Sequence, residues 1–122
     1  MTKRVPKVLI IEDDRFILKA MRYKFEEAGF SFKAVRTAEE GLTLLEKWVP
    51  DVIVLDILLP GIDGYEFLRK VKADPKLKDV PVIVASNLPD DEEMDIGAIE
   101  YIVKSDLDLD VLIAKTLRNI KR

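Results

Sequence analysis

Two apolar runs in this 122-residue chain end in carboxylates. Val8–Ile11 is followed by Glu12, Asp13 and Asp14, and Val52–Leu55 is followed by Asp56. Two other runs end in different chemistry: Val82–Ala85 in Ser86, and Tyr101–Val103 in Lys104. Asp14 has a local use as the N-cap of the helical pattern that begins next. One cap does not need three acids, so Glu12 and Asp13 are left over. Asp56 precedes Ile57-Leu58-Leu59-Pro60, where no helix starts, and a carboxylate in such apolar surroundings needs a partner. Three carboxylates within about 4–5 Å repel by a few kcal/mol per pair at an effective dielectric of roughly 20, and a divalent cation reverses that sign. All-oxygen ligands select a hard ion, and an open, partly hydrated site suits Mg²⁺ better than Ca²⁺. The Leu58 carbonyl, two residues past Asp56, is a further candidate ligand. A carboxylate-held metal beside a lysine is an arrangement for clamping phosphoryl oxygens.

Composition narrows the alternatives. The chain has no histidine and no cysteine, which removes the usual general base, the usual zinc ligands, disulfides and thiol catalysis. Five glycines form neither a dinucleotide fingerprint nor a P-loop. No apolar run approaches the ~20 residues that span a bilayer, and no signal-peptide pattern opens the chain. A cytoplasmic location without membrane contact is expected. Twenty basic and 23 acidic residues give a net charge of −3. The acids concentrate between Asp90 and Asp110, where nine face a single base, Lys104. That stretch repels nucleic acid and is expected to attract a downstream protein with a basic surface.

The elements that must position these groups alternate along the chain. Ile17, Met21, Phe25 and Ala28 fall at helical spacing after the first strand, and Gly29 ends that helix. Phe30–Val35 reads as a second strand. Thr37 and Glu40 form a capping box for a helix carrying Leu42, Leu45 and Val49 inward, ended by Pro50 and Asp51. Asp63 and Glu66 cap a third helix through Tyr65, Leu68 and Val71, closed by Pro75. A short acidic helix is expected around Asp90–Ile96. Leu109, Leu112, Ile113, Leu117 and Ile120 make a final amphipathic helix. Five βα units with strands apolar on both faces predict one domain over residues 1–122, a parallel sheet covered on both sides. Right-handed crossovers cover both faces only if the strand order reverses, and the site then lies beyond the carboxyl ends of the strands.

Four strings in order resemble the receiver domains of two-component response regulators: VLIIEDD, VIVLDILLPGIDGYEFL, PVIVAS and GAIEYIVK. The resemblance covers nearly the whole chain. It implies a doubly wound, flavodoxin-like (βα)5 fold with a five-stranded parallel sheet in the order 2-1-3-4-5. It also implies that Asp56 is the phosphoacceptor, Asp13 a direct Mg²⁺ ligand and Glu12 a ligand through water, with the Leu58 carbonyl completing the set. Lys104 and Ser86 would each hold a phosphoryl oxygen, and Tyr101 with Ser86 would form the conformational switch. The donor would be a phosphohistidine on a histidine kinase or histidine phosphotransfer protein. Output through protein contacts is expected of a stand-alone receiver.

Three departures distinguish this chain within that resemblance. Ser105 stands where the family usually has a cis proline, so a trans bond is expected after Lys104. Asn87 stands where a small residue is favoured. The stretch from Ser86 to Lys104 is about one helical turn short, which predicts a stubby fourth helix. The resemblance also implies that Leu58 and Leu88 border the approach of water to a phosphorylated Asp56, where neither could orient it. Loss of the phosphoryl group is therefore expected to be slow, with Asn87 the one nearby polar modulator. Two alternatives have their own signatures. A phosphorylation-independent binding scaffold would account for Ser105, Asn87 and the short helix. A Mg²⁺-dependent aspartyl-phosphate phosphohydrolase would need an acid where Leu58 stands.

Overall fold

The computed structural model describes residues 4–56, 64–86, 100–103 and 108–120. The strands are β1 (Lys7–Ile11), β2 (Ser31–Val35), β3 (Val52–Leu55), β4 (Val82–Ser86) and β5 (Glu100–Val103). The described helices are α1 (Arg15–Glu27), α2 (Ala38–Leu45), α3 (Gly64–Ala73) and α4 (Leu109–Asn119). The sheet is parallel throughout, in the order β2-β1-β3-β4-β5. The short helix expected near Asp90–Ile96 and the Asp63 cap lie outside the described residues.

Period-two alternation in the central strands builds two cores. Leu9 and Ile11 of β1 join α2 and α3 residues, among them Ala38, Leu45, Phe67, Leu68 and Val71, on one face. Val8 and Ile10 join Met21 and Phe25 of α1 and Leu112 of α4 on the other. Every residue of Val8–Ile11 is fully buried, which is why the strand reads as a continuous apolar run.

Helix ends follow local chemistry. At the end of α1, Gly29 adopts φ +92°, Gly29 N–H donates to Glu26 and Phe30 N–H donates to Phe25. This is a Schellman cap, and the Phe25 and Phe30 rings meet edge to face at 5.0 Å to provide its apolar contact. Ala28 is exposed at this cap rather than buried. Thr37 caps α2 by accepting from Glu40 N–H, and its hydroxyl donates to the Glu40 carboxylate.

Two apolar residues expected inside are at the surface. Helix α2 ends at Leu45, where Glu46 N–H and Lys47 N–H tighten to carbonyls three residues back, so Val49 leaves the helical phase and is 44% exposed. Leu117 is 38% exposed, and fully buried Thr116 takes the inward position with its hydroxyl donating to Leu112 C=O.

The acidic stretch is also less available than its sequence implies. Asp108 caps α4, Asp110 pairs with Lys24 of α1 at 3.0 Å, and Glu100 receives Lys115, Arg118 and Asn119 from α4. Burial pushes the Glu100 carboxyl up, but the hydrogen bonds from those three residues outweigh it and hold the pKa below the ordinary 4.5. A depressed carboxylate contributes stability that is complete above its unfolded pKa and lost as pH falls through its folded value. Glu100→Gln is thus expected to lower the urea midpoint at neutral pH. The gap between variant and parent should narrow at about pH 3, and a gap independent of pH would contradict the clamp.

Candidate phosphoacceptor and metal site

Adjacent strands deliver the carboxylates. Ile11 of β1 and Leu55 of β3 are register partners, and Asp56 N–H extends the ladder by donating to Ile11 C=O at 3.0 Å. On the other side of β1, Glu12 N–H donates to Val35 C=O at 3.1 Å. Glu12 and Asp56 therefore emerge side by side at the carboxyl edge of the sheet, 2% and 5% exposed, while Asp13 is open to solvent. One carboxylate oxygen from each of Glu12, Asp13 and Asp56 lies within 4.8 Å of the other two.

Asp14 does different work. Its side chain accepts from Phe16 N–H and Ile17 N–H at 2.9 and 3.1 Å, capping α1. Its own N–H donates to Glu12 Oε2 at 3.0 Å, tying the start of the helix to the cluster. Of the four acids, one caps the helix and three cluster.

The cluster fits a small divalent cation. Oxygens around an octahedral Mg²⁺ sit about 3 Å apart when adjacent and about 4.2 Å apart when opposite. A set already within 4.8 Å closes onto such an ion by small side-chain rotations. Without a cation, an ionised pair 4.8 Å apart costs about 3.5 kcal/mol at an effective dielectric near 20, more where the oxygens are closer and less where water screens Asp13.

The other expected site residues are placed less fully. Ser86 is the last residue of β4, at the same carboxyl edge of the sheet, and Tyr101 is in β5 in register with Val84. Lys104 follows directly after β5 and, with Leu58, Asn87, Leu88 and Ser105, lies outside the described residues. One exposed aromatic residue, close to the cluster in sequence, has no obvious signal in the chain. Phe16, in the first turn of α1, is 87% exposed. The one trace is its phase, since it falls outside the Ile17, Met21, Phe25 spacing that marks the buried side.

With an acidic cluster at the carboxyl edge of a 2-1-3-4-5 sheet, the comparison with known proteins is decisive. Residues 8–116 match the response regulator receiver domain family. The chain belongs to that family. The receiver domain is 36% identical over 104 residues to the transcriptional regulatory protein AfsQ1 of Streptomyces coelicolor, a match covering 82% of this chain and 45% of that protein. It spans about half the length of the curated relatives it matches. Among solved structures, the signal receiver domain of a signal transduction histidine kinase from Syntrophus aciditrophicus superposes with TM-score 0.86 at 30% identity, covering 94% of this chain and 89% of that one. The Francisella response regulator 1452 receiver domain gives 0.85 at 30% identity, with 93% and 95% covered. The protein is thus a signalling domain of two-component phosphorelay, and the acids of a receiver's metal site are in place. No helix among the described residues is long and apolar enough to cross a membrane.

Proposed function

We propose that this receiver domain, over residues 1–122, takes a phosphoryl group onto Asp56 from a phosphohistidine of a histidine kinase or phosphotransfer protein. The observation that carries the reading is the mutual approach of the Glu12, Asp13 and Asp56 oxygens within 4.8 Å. In the proposed step an Asp56 carboxylate oxygen forms a bond to phosphorus as the phosphorus–nitrogen bond to imidazole breaks. The imidazole leaves neutral, having kept or gained one proton, and the phosphoryl group becomes an acyl phosphate. Bound Mg²⁺ would screen the phosphoryl oxygens from the carboxylates. Asp13 and Asp56 would ligate it directly, Glu12 through water, with the Leu58 carbonyl as the last protein ligand. Lys104 would pair with one phosphoryl oxygen and Ser86 would donate to another, with Ser86 and Tyr101 relaying the change.

In this reading the chain is not a turnover enzyme. It catalyses its own phosphorylation and loses the group slowly, because Leu58 and Leu88 cannot position water and Asn87 is the nearby polar modulator. The setting is cytoplasmic. Output passes to a protein with a basic surface facing Asp90–Asp95, since Glu100, Asp108 and Asp110 are engaged within the chain.

The test is intact-mass spectrometry after incubation with acetyl phosphate and Mg²⁺. One phosphoryl increment is expected in the parent and none in Asp56→Asn. An unmodified parent would overturn the reading and leave the phosphorylation-independent scaffold as the better account, and a modified Asp56→Asn would overturn the assignment of Asp56 as the phosphoacceptor.

Phe16 makes a separable prediction. Its exposed ring lies three residues beyond Asp13, where a protein donor must approach but a small-molecule donor need not. Phe16→Ala is expected to slow transfer from a cognate phosphohistidine protein by about tenfold, the loss of one well-packed aromatic contact. Labelling by acetyl phosphate should be unchanged, and equal slowing with both donors would place Phe16 in the chemistry instead.

A further inference from the structure

Strand β5 has little of its own to hold it. It is four residues long, lies at the edge of the sheet and, among the described residues, pairs with β4 alone. Of its described side chains, Ile102 packs against the core shared by α1 and α4. A short strand with one neighbour opens at low free-energy cost unless a second element ties it down. The tie matters because β5 ends at Val103, the ladder partner of Ser86, and Lys104 is the next residue in the chain. Whatever fixes β5 fixes the point from which Lys104 departs.

Glu100 supplies that tie. Its carboxylate, 14% exposed, receives Lys115 Nζ at 2.7 Å, and one Arg118 nitrogen donates to both of its oxygens at 2.8 Å. Asn119 Nδ2 donates to the second oxygen and also to Lys115 C=O, which holds the amide in place. The three donors stand at i, i+3 and i+4, so they share one face of α4. Exposed ion pairs contribute little, but a largely buried carboxylate with both oxygens satisfied by a network keeps its geometry. The anchor is asymmetric. Helix α4 is fixed without Glu100 by the Asp108 cap, by Leu112 and Thr116 in the interior, and by the Lys24–Asp110 pair to α1. Strand β5 has its single ladder and Ile102, so the cluster positions the strand against the helix and not the reverse.

We propose that Glu100 is a positioning residue for phosphoryl transfer, clamping edge strand β5 to α4 so that Lys104 leaves the sheet where its ammonium is needed. The proposal rests on the roles given above to Asp56 and Lys104. A point charge stabilises a phosphoryl oxygen only at contact distance, and a misplacement of about 1 Å is costly to the rate. An amide in place of the Glu100 carboxylate would leave Lys115 and Arg118 without their anion, so the two cations would repel each other at the seam between β5 and α4. The metal cluster is independent of the clamp. Glu12 and Asp13 follow β1 and Asp56 follows β3, and β4 stands between those strands and β5. The competing account is stability alone, in which Glu100 matters for unfolding and not for transfer in the folded protein.

The experiment follows phosphoryl gain from acetyl phosphate by intact mass on the full chain. It runs at saturating Mg²⁺ and at a temperature where circular dichroism shows every variant folded. Glu100→Gln is expected to lower the limiting rate about tenfold, with the half-saturating Mg²⁺ concentration unchanged. Lys104→Met should lower it about 100-fold. In that background Glu100→Gln should cost less than about twofold, since no ammonium is left to misplace. Arg118→Gln, which loosens the clamp from its exposed side, should act in the same direction by a smaller factor, and it reads the same cycle if Glu100→Gln folds poorly. Amide exchange at Ile102 should quicken in Glu100→Gln while Leu112 keeps its protection. A parent rate in Glu100→Gln, equal losses in both backgrounds, or quickened exchange at Leu112 alone would overturn the clamp and leave Glu100 a stabilising residue only. A parent that takes no phosphoryl group overturns the phosphoacceptor reading, and Lys104→Met labelling at the parent rate overturns the role of Lys104. The proposal falls with either, and each result is distinct from a failure of the clamp.

Discussion

Asp13→Asn is expected to abolish the Mg²⁺ dependence of this receiver domain while making the metal-free protein more stable. The two effects share one cause. Asp13 is the exposed member of a cluster whose oxygens lie within 4.8 Å of each other, against Glu12 and Asp56 that are almost wholly buried. Removing its charge relieves repulsion of about 1 kcal/mol after solvent screening, which corresponds to a rise of about 4 °C in melting temperature. For the parent, Mg²⁺ at about ten times its dissociation constant adds RT ln 11, about 1.4 kcal/mol, because it binds the folded state only. Loss of the ligand that Asp13 is proposed to supply should cost about 100-fold or more in metal affinity, and phosphoryl uptake should fall with it. Thermal melts with and without millimolar Mg²⁺, beside acetyl phosphate labelling, read both consequences. A parent whose melting temperature ignores Mg²⁺, or a variant that keeps the parent's Mg²⁺ response, would refute the metal assignment.

Phe67→Ala is expected to give the largest loss of stability, about 3–5 kcal/mol, the range for emptying a fully buried phenylalanine site. Phe67 is 0% exposed in the core that joins α2 and α3 to the sheet. It also packs close to Gly41 of α2, where an added Cβ would stand 3.2 Å from the Phe67 ring and 2.9 Å from Ile11 Cδ1. Gly41→Val therefore overpacks the same space and should cost about 1–3 kcal/mol despite valine's better helix propensity. Because the void left by Phe67→Ala adjoins that position, the double variant should be less unstable than the two single losses added. Emission from the single tryptophan, Trp48, which packs against this core, reports unfolding in urea. Strict additivity would show that the two sites do not share the space the structure assigns them.

Much of this architecture was legible in the chain because its signals are local. Strands buried on both faces must be apolar at every position, and Val8–Ile11, Val52–Leu55 and Val82–Ala85 announce themselves that way. The Asp14 and Thr37 caps and the Gly29 stop satisfy backbone groups within a few residues, so spacing alone locates them. The cluster of Glu12, Asp13 and Asp56 was legible for a related reason. A parallel sheet puts all strand ends at one edge, so acids at those ends converge whatever the loops do.

What the sequence alone determined is thus the alternation of elements, the helix caps and the identity of the three clustered acids, each written in residue type at short range. Only the tertiary structure decided which groups are already engaged and which surfaces are concave. Val49 and Leu117 fit a helical period yet stand exposed, because the period does not say where α2 unwinds or which turn of α4 faces the sheet. Glu100 looks like one more acid in a run of acids, but Lys115, Arg118 and Asn119 converge on it from helix positions 15 to 19 residues away. A hollow between α2 and α3, lined in part by Leu42, Leu45 and Leu77, has no signature in the chain, since its two walls are brought together by the sheet between them. Charge pairing and concavity depend on distances between segments remote in sequence, and only packing sets those distances.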